Sequence, residues 1–71
     1  MKVKDVLENI DTDILKKRLI SIGWKKGAVD MAFSRGNISK KMAPDMEKFT
    51  SVSAKFWLMP DTYDIKGELI S

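Results

Sequence analysis

The sequence predicts a mainly α-helical fold: a compact helix-turn-helix domain of about four helices, closed by a short C-terminal β-hairpin or an extra helix, with α+β as the alternative class. Three observations lead there. Residues 28–42 have the layout of two short helices joined by a tight turn. The apolar residues ahead of them recur at helical spacing, and residues that start and stop helices bracket each apolar stretch. The 71 residues form one domain, 1–71, because a chain of this size buries only about 60% of its unfolded surface and cannot support two cores.

Residues 1–10 carry Val3, Val6, Leu7 and Ile10 at spacings of three, one and three. That is one face of a short helix, or a lead-in strand through Val3. Asp11, Thr12 and Asp13 then supply capping oxygens and carboxylates for the positive end of a helix dipole. The helix that begins there is expected to bury Ile14, Leu15, Leu19 and Ile22, to wet Lys16, Lys17 and Arg18, and to stop at Gly23. Trp24 follows as a residue packed across the junction.

The motif itself begins after Lys25, Lys26 and Gly27. Ala28 provides the small residue needed where the second helix crosses the first closely, and Ala32 stands where the turn wants glycine or the next smallest residue. Met31 and Phe33 flank that turn as apolar plugs, and Ser34 is placed to cap the second helix, 35–42. Ile38 and Met42, four residues apart, share its inner face. Its outer face is Arg35, Gly36, Asn37, Ser39, Lys40 and Lys41, all basic, small or amide, which suits phosphates and base edges. A glycine at position 36 costs a helix about 0.5–1 kcal/mol relative to alanine. Close backbone approach to DNA or a loose turn would each account for it.

Beyond Met42, the run Ala43, Pro44, Asp45, Met46, Glu47 reads as a fresh helix start. One reading continues that helix to about Met59 with Met46, Phe49, Val52, Phe56 and Trp57 inward. The preferred reading runs helix or loop into Phe49, then two strands, with Pro60, Asp61, Thr62, Tyr63 and Asp64 as the turn between them. The run Phe56, Trp57, Leu58, Met59 is apolar on both sides and is expected to be core or a dimer surface.

Charge is unevenly spread. The net charge is +3, yet residues 16–42 hold eight basic residues against Asp30 alone, giving +7 and leaving −4 for the rest. A positive middle between negative ends is what a polyanion-binding surface produces. Lys25 and Lys26, at the start of the first motif helix, are placed for DNA phosphates, and Ser34 and Lys41 are expected to bind phosphates as well.

The composition also excludes. Cysteine and histidine are both absent, which removes disulfides, thiolate zinc sites and the commonest acid-base groups. No nucleophile-base pair stands out, and the pairs Asp11 with Asp13 and Asp61 with Asp64 sit where caps and turns ordinarily use Asp, so no catalysis, metal, cofactor or small-molecule substrate is expected. The apolar runs fall far short of the roughly 20 residues that span a bilayer. With no signal peptide evident, the expected location is the cytoplasm of a bacterial or phage-infected cell.

From Leu15 to Met42 the chain resembles the lambda-type phage Cro repressors, small helix-turn-helix regulators. About 28 residues align without a gap: Leu15 and Lys16 open the first helix, Gly23 ends it and Lys26 precedes the motif. Ala28, Asp30, Met31, Ala32, Phe33, Ile38, Lys40 and Met42 then fall in identical or similar classes. The resemblance implies that Arg35, Gly36, Ser39 and Lys40 reach base edges in the major groove, with Lys25, Lys26 and Lys41 near phosphates. The chain departs from the family in three places: Ala32 stands for the usual turn glycine, roughly eight extra residues precede the first helix, and the C-terminal part does not match the Cro hairpin.

The expectation is a sequence-specific, Cro-like repressor that reads a double-stranded DNA operator through helix 35–42. Its base-reading residues are Arg35, Gly36, Asn37, Ser39 and Lys40, and it acts as a homodimer joined through Phe56, Trp57, Leu58 and Met59. The alternative is a phage-encoded modulator of a host protein, docking through its basic middle with Phe56 to Met59 as the apolar patch.

Overall fold

The computed structural model describes residues 2–70; Met1 and Ser71, the two ends of the expected single domain, lie outside the described residues. It is mainly α: five helices, α1 (Val3–Glu8), α2 (Thr12–Ser21), α3 (Lys26–Arg35), α4 (Ala43–Thr50) and α5 (Ala54–Leu58). Helices adjacent in sequence pack as the pairs α2 with α3 and α4 with α5, while α1 lies on α3 and α2 on α4. Val3, Val6, Leu7, Leu15, Leu19, Val29, Phe33, Ile38, Met42, Ala43, Met46, Phe56 and Trp57 form one buried core. Among the described residues no buried side-chain polar atom lacks a partner.

Local chemistry sets most of the boundaries. The Asp11 carboxylate accepts the Ile14 N–H at 3.2 Å and starts α2. Helices α2 and α3 end alike. At α2 the Trp24 N–H donates to the Leu19 carbonyl and the Gly23 N–H to Ile20, with Gly23 at φ 115°. At α3 the Asn37 N–H donates to Ala32 and the Gly36 N–H to Phe33, with Gly36 at φ 65°. Both are two-bond, glycine-dependent stops that satisfy carbonyls the helix leaves open.

The second stop corrects the motif. The turn expected at Ala32 to Ser34 is absent, because α3 runs on to Arg35. Alanine is a strong helix former that resists positive φ, whereas Gly36 adopts it at little cost, so the chain turns at the glycine. Residues 36–42 are therefore loop and turn, and no helix 35–42 forms. Ser34 caps nothing: its hydroxyl donates to the Met31 carbonyl inside α3. With no second motif helix crossing α3, Ala28 and Met31 are exposed. Ile38 and Met42 are buried as expected, but from a loop.

Two further expectations change. Ile14 is 52% and Ile22 49% exposed, so the buried stripe of α2 narrows to Leu15 and Leu19. Ile22 sits at the C-cap, past the last helical turn. In place of a hairpin after Phe49, α4 continues to Thr50, Ser51 breaks it at φ 63°, and the Ser53 hydroxyl restarts the chain as α5 by accepting the Lys55 N–H. The Glu47 carboxylate takes the Ala54 N–H at 2.8 Å across that corner. Of strand structure the described residues retain one antiparallel bridge, Tyr63 to Leu69.

Candidate nucleic-acid interface

The segment 35–42 leaves α3 and returns to the core twice, at Ile38 and Met42. Its last turn is fastened by Ser39, whose hydroxyl accepts the Met42 N–H at 3.2 Å and whose carbonyl accepts those of Met42 and Ala43 at 3.1 and 2.9 Å. Because the apolar residues point inward, Arg35, Asn37, Ser39, Lys40 and Lys41 are exposed, and Gly36 is half-buried. Arg35, Asn37 and Ser39 border an open groove of about 290 Å³ whose other walls are Trp24, Ala28, Met31, Ala32 and Met42. Three polar residues and five largely apolar ones thus line the same groove.

Trp24 fixes the near end of this groove. Its indole N–H donates to Asp45 Oδ2 at 2.8 Å, tying the α2–α3 corner to the first turn of α4. Lys25 is the N-cap of α3 and Lys26 its first residue, and both are exposed. Ser34 is exposed too, on the helix side of Arg35.

Electrostatics separate the basic residues into two groups. Among the described residues Lys16 to Asp30, at 3.2 Å, is the one ion pair. Lys16 also lies over the Phe33 ring at 5.7 Å, and Arg18 over Phe49 at 5.9 Å. The run Lys16 to Arg18, expected as a solvated face, is thus partly engaged with the protein itself. Lys25, Lys26, Arg35, Lys40 and Lys41 have no carboxylate at ion-pair distance among the described residues.

Sequence reasoning did not anticipate Lys2 and Lys4. The packing of α1 on α3 lays the stem of Lys4 across Gly36, so closely that a methyl group there would stand 2.7 Å from Lys4 Cγ. The apolar spacing of α1 marked a helix, and nothing in it names the helix it covers. A second correction concerns the expected dimer surface. Phe56 is fully buried and Trp57 is 2% exposed; their rings meet edge to face at 5.5 Å, and the Trp57 indole N–H donates to the Val52 carbonyl. Neither residue is available to a partner, which also removes the aromatic patch of the protein-docking alternative. Leu58 and Met59 are exposed, as are Ile65, Leu69 and Ile70 farther along.

Among the described residues no group of three or more Asp or Glu side chains is placed to hold a metal ion, and no helix is long and apolar enough to cross a membrane. Comparison of the chain with protein-family models, with curated proteins and with solved structures returned no match.

Proposed function

We propose that this protein binds double-stranded DNA as a sequence-reading transcription regulator, with residues 35–41 as the surface that meets the major groove. One observation carries the reading. The end of α3 and a short loop anchored at Ile38 and Met42 hold out Arg35, Asn37, Ser39, Lys40 and Lys41, none of them neutralised by a carboxylate within the described residues. A guanidinium and an amide are the side chains that pair in a bidentate way with guanine and adenine edges. Lysines next to them supply affinity by releasing counterions.

In this reading Arg35 does most of the discrimination, about 1–3 kcal/mol at one base pair. Asn37, Ser39 and Lys40 contact neighbouring bases, and Gly36 turns the chain out of α3 into the loop that carries them. Lys25, Lys26, Ser34 and Lys41 meet phosphates. A second copy, joined through the exposed Leu58 and Met59, would read the other half of a palindromic operator, in the cytoplasm of a bacterium or an infected host.

The test is fluorescence-anisotropy titration of DNA from upstream of the gene and of a scrambled duplex, with the native chain and Arg35→Ala. Preference for the upstream duplex that Arg35→Ala removes, with scrambled DNA still bound, is the expected result. Equal affinity of the native chain for both duplexes would refute sequence reading, and no binding to either at ~50 mM salt would refute DNA binding itself.

A further inference from the structure

We infer that the cleft between the start of α1 and the end of α3 is an additional anion site, which takes a backbone phosphate of the same duplex. The inference rests on the DNA reading above and extends its contact surface to residues outside the basic middle of the sequence.

The cleft is open, about 290 Å³, against roughly 30 Å³ for one water molecule. Lys2, which caps α1, and Val3 and Lys4 of its first turn line one side, Arg35 and the C-cap Gly36 of α3 another, and Pro60 and Asp61 come from the segment after α5. Three cations therefore face a single carboxylate, and none of the four is ion-paired among the described residues. The stem of Lys4 runs along the bare glycine: its Cγ, Cε and Cδ would lie 2.7, 3.4 and 3.5 Å from a methyl group at Gly36, and Lys4 and Arg35 both line the cleft. Arg35 borders this cleft and also the groove shared with Asn37 and Ser39. A phosphate in the cleft would thus be continuous with the base-reading rim, which is the arrangement needed for backbone contacts to set register while base contacts read sequence.

A competing role for Lys4 is purely structural, its charge compensating the negative end of the α3 dipole. The two differ in what they do to salt dependence. The experiment titrates labelled duplex with the full chain between ~50 and ~200 mM salt, for the native protein, Lys2→Gln, Lys4→Gln and Asp61→Asn. Glutamine keeps most of the stem and removes the charge.

Because the cleft accounts for one phosphate, the two lysine variants are expected to share a reduction of about 0.9 in the slope of log K against log salt. Their combined weakening of binding should be about eightfold near 0.1 M salt, equally for upstream and scrambled DNA. Asp61→Asn should tighten binding by about threefold, the effect of removing one like charge about 7 Å from a phosphate in water; a variant that merely misfolds cannot do this. If the native chain binds DNA while the lysine variants keep its slope and affinity, the cleft is not a phosphate site, and a fall in melting temperature alone assigns Lys4 the structural role. Should the native chain bind no DNA, the functional reading fails and this site with it. Thermal stabilisation by millimolar inorganic phosphate at constant ionic strength, lost in Lys4→Gln while DNA slopes stay unchanged, would assign the cleft to a free oxyanion and overturn the duplex proposal.

Discussion

Replacing Gly36 by alanine has opposite consequences for the two backbones that residue 36 could adopt. Inside a right-handed helix spanning 35–42, alanine would add about 0.5–1 kcal/mol of stability. At the observed φ of 65° and ψ of 34° it must instead enter the left-handed region, which costs an L residue roughly 1–2 kcal/mol. Its methyl would also meet Lys4 Cγ at 2.7 Å and push that side chain from its rotamer, at about 0.5–1.5 kcal/mol. The expected net change is a loss of about 2 kcal/mol, which for a domain of this size lowers Tm by about 8–16 °C. Urea and thermal unfolding of the DNA-free protein, followed by tryptophan fluorescence and far-UV circular dichroism, give both numbers. Asparagine, which tolerates the left-handed region better, should fall between glycine and alanine. A Gly36→Ala protein that melts above the native one, or an alanine variant more stable than the asparagine one, would refute the left-handed stop and restore the continuous second helix.

Two further substitutions probe the frame around the loop. Phe56→Ala empties a fully buried position and should cost about 3–5 kcal/mol in urea unfolding, independent of protein concentration. A loss under ~1 kcal/mol that appears only as weakened self-association would return Phe56 to a subunit surface. Trp24→Phe deletes the donor to Asp45 and should cost about 1–2 kcal/mol. A double-mutant cycle with Asp45→Ala should show coupling above ~0.5 kcal/mol, and additive effects would mean that the bond contributes nothing.

What the sequence revealed about this fold was mostly local chemistry. The cap at Asp11, the stop at Gly23, the proline-led start of α4 and the 3-6-7 spacing of α1 are each decided within about four residues, and each appears in the structure. The end of α3 was not legible, because two stops competed over a few residues. The family pattern favoured Ala32, and backbone energetics favoured Gly36. The aromatic pair at 56 and 57 was ambiguous for a different reason: consecutive apolar residues fit a strand buried on both faces as well as a short helix with two adjacent residues in the core. Only the corner made by Ser51, Ser53 and Glu47 decides between them. At the candidate interface, exposure of Arg35, Asn37, Lys40 and Lys41 followed from the inward pattern of Ile38 and Met42. The approach of Lys4 did not, since it depends on which helix α1 covers.

That approach bears on how the molecule is assembled in time. Helix α1 has six residues, well under the ~12–15 needed for an isolated helix to persist in water. Its partner is α3, and α2 lies between them in the chain, so α1 rests on a surface that Lys26–Arg35 must first supply. The order along the chain and the order of settling are therefore reversed for this element: α2 and α3 can pair as neighbours, and α1 folds back onto them afterwards. Closing a loop of this length adds little entropy cost beyond that of a shorter one, so the delay need not slow folding much. A nascent chain arrested short of Arg35 would nonetheless lack the Lys2, Lys4 and Arg35 cleft altogether, since one of its walls has yet to be made.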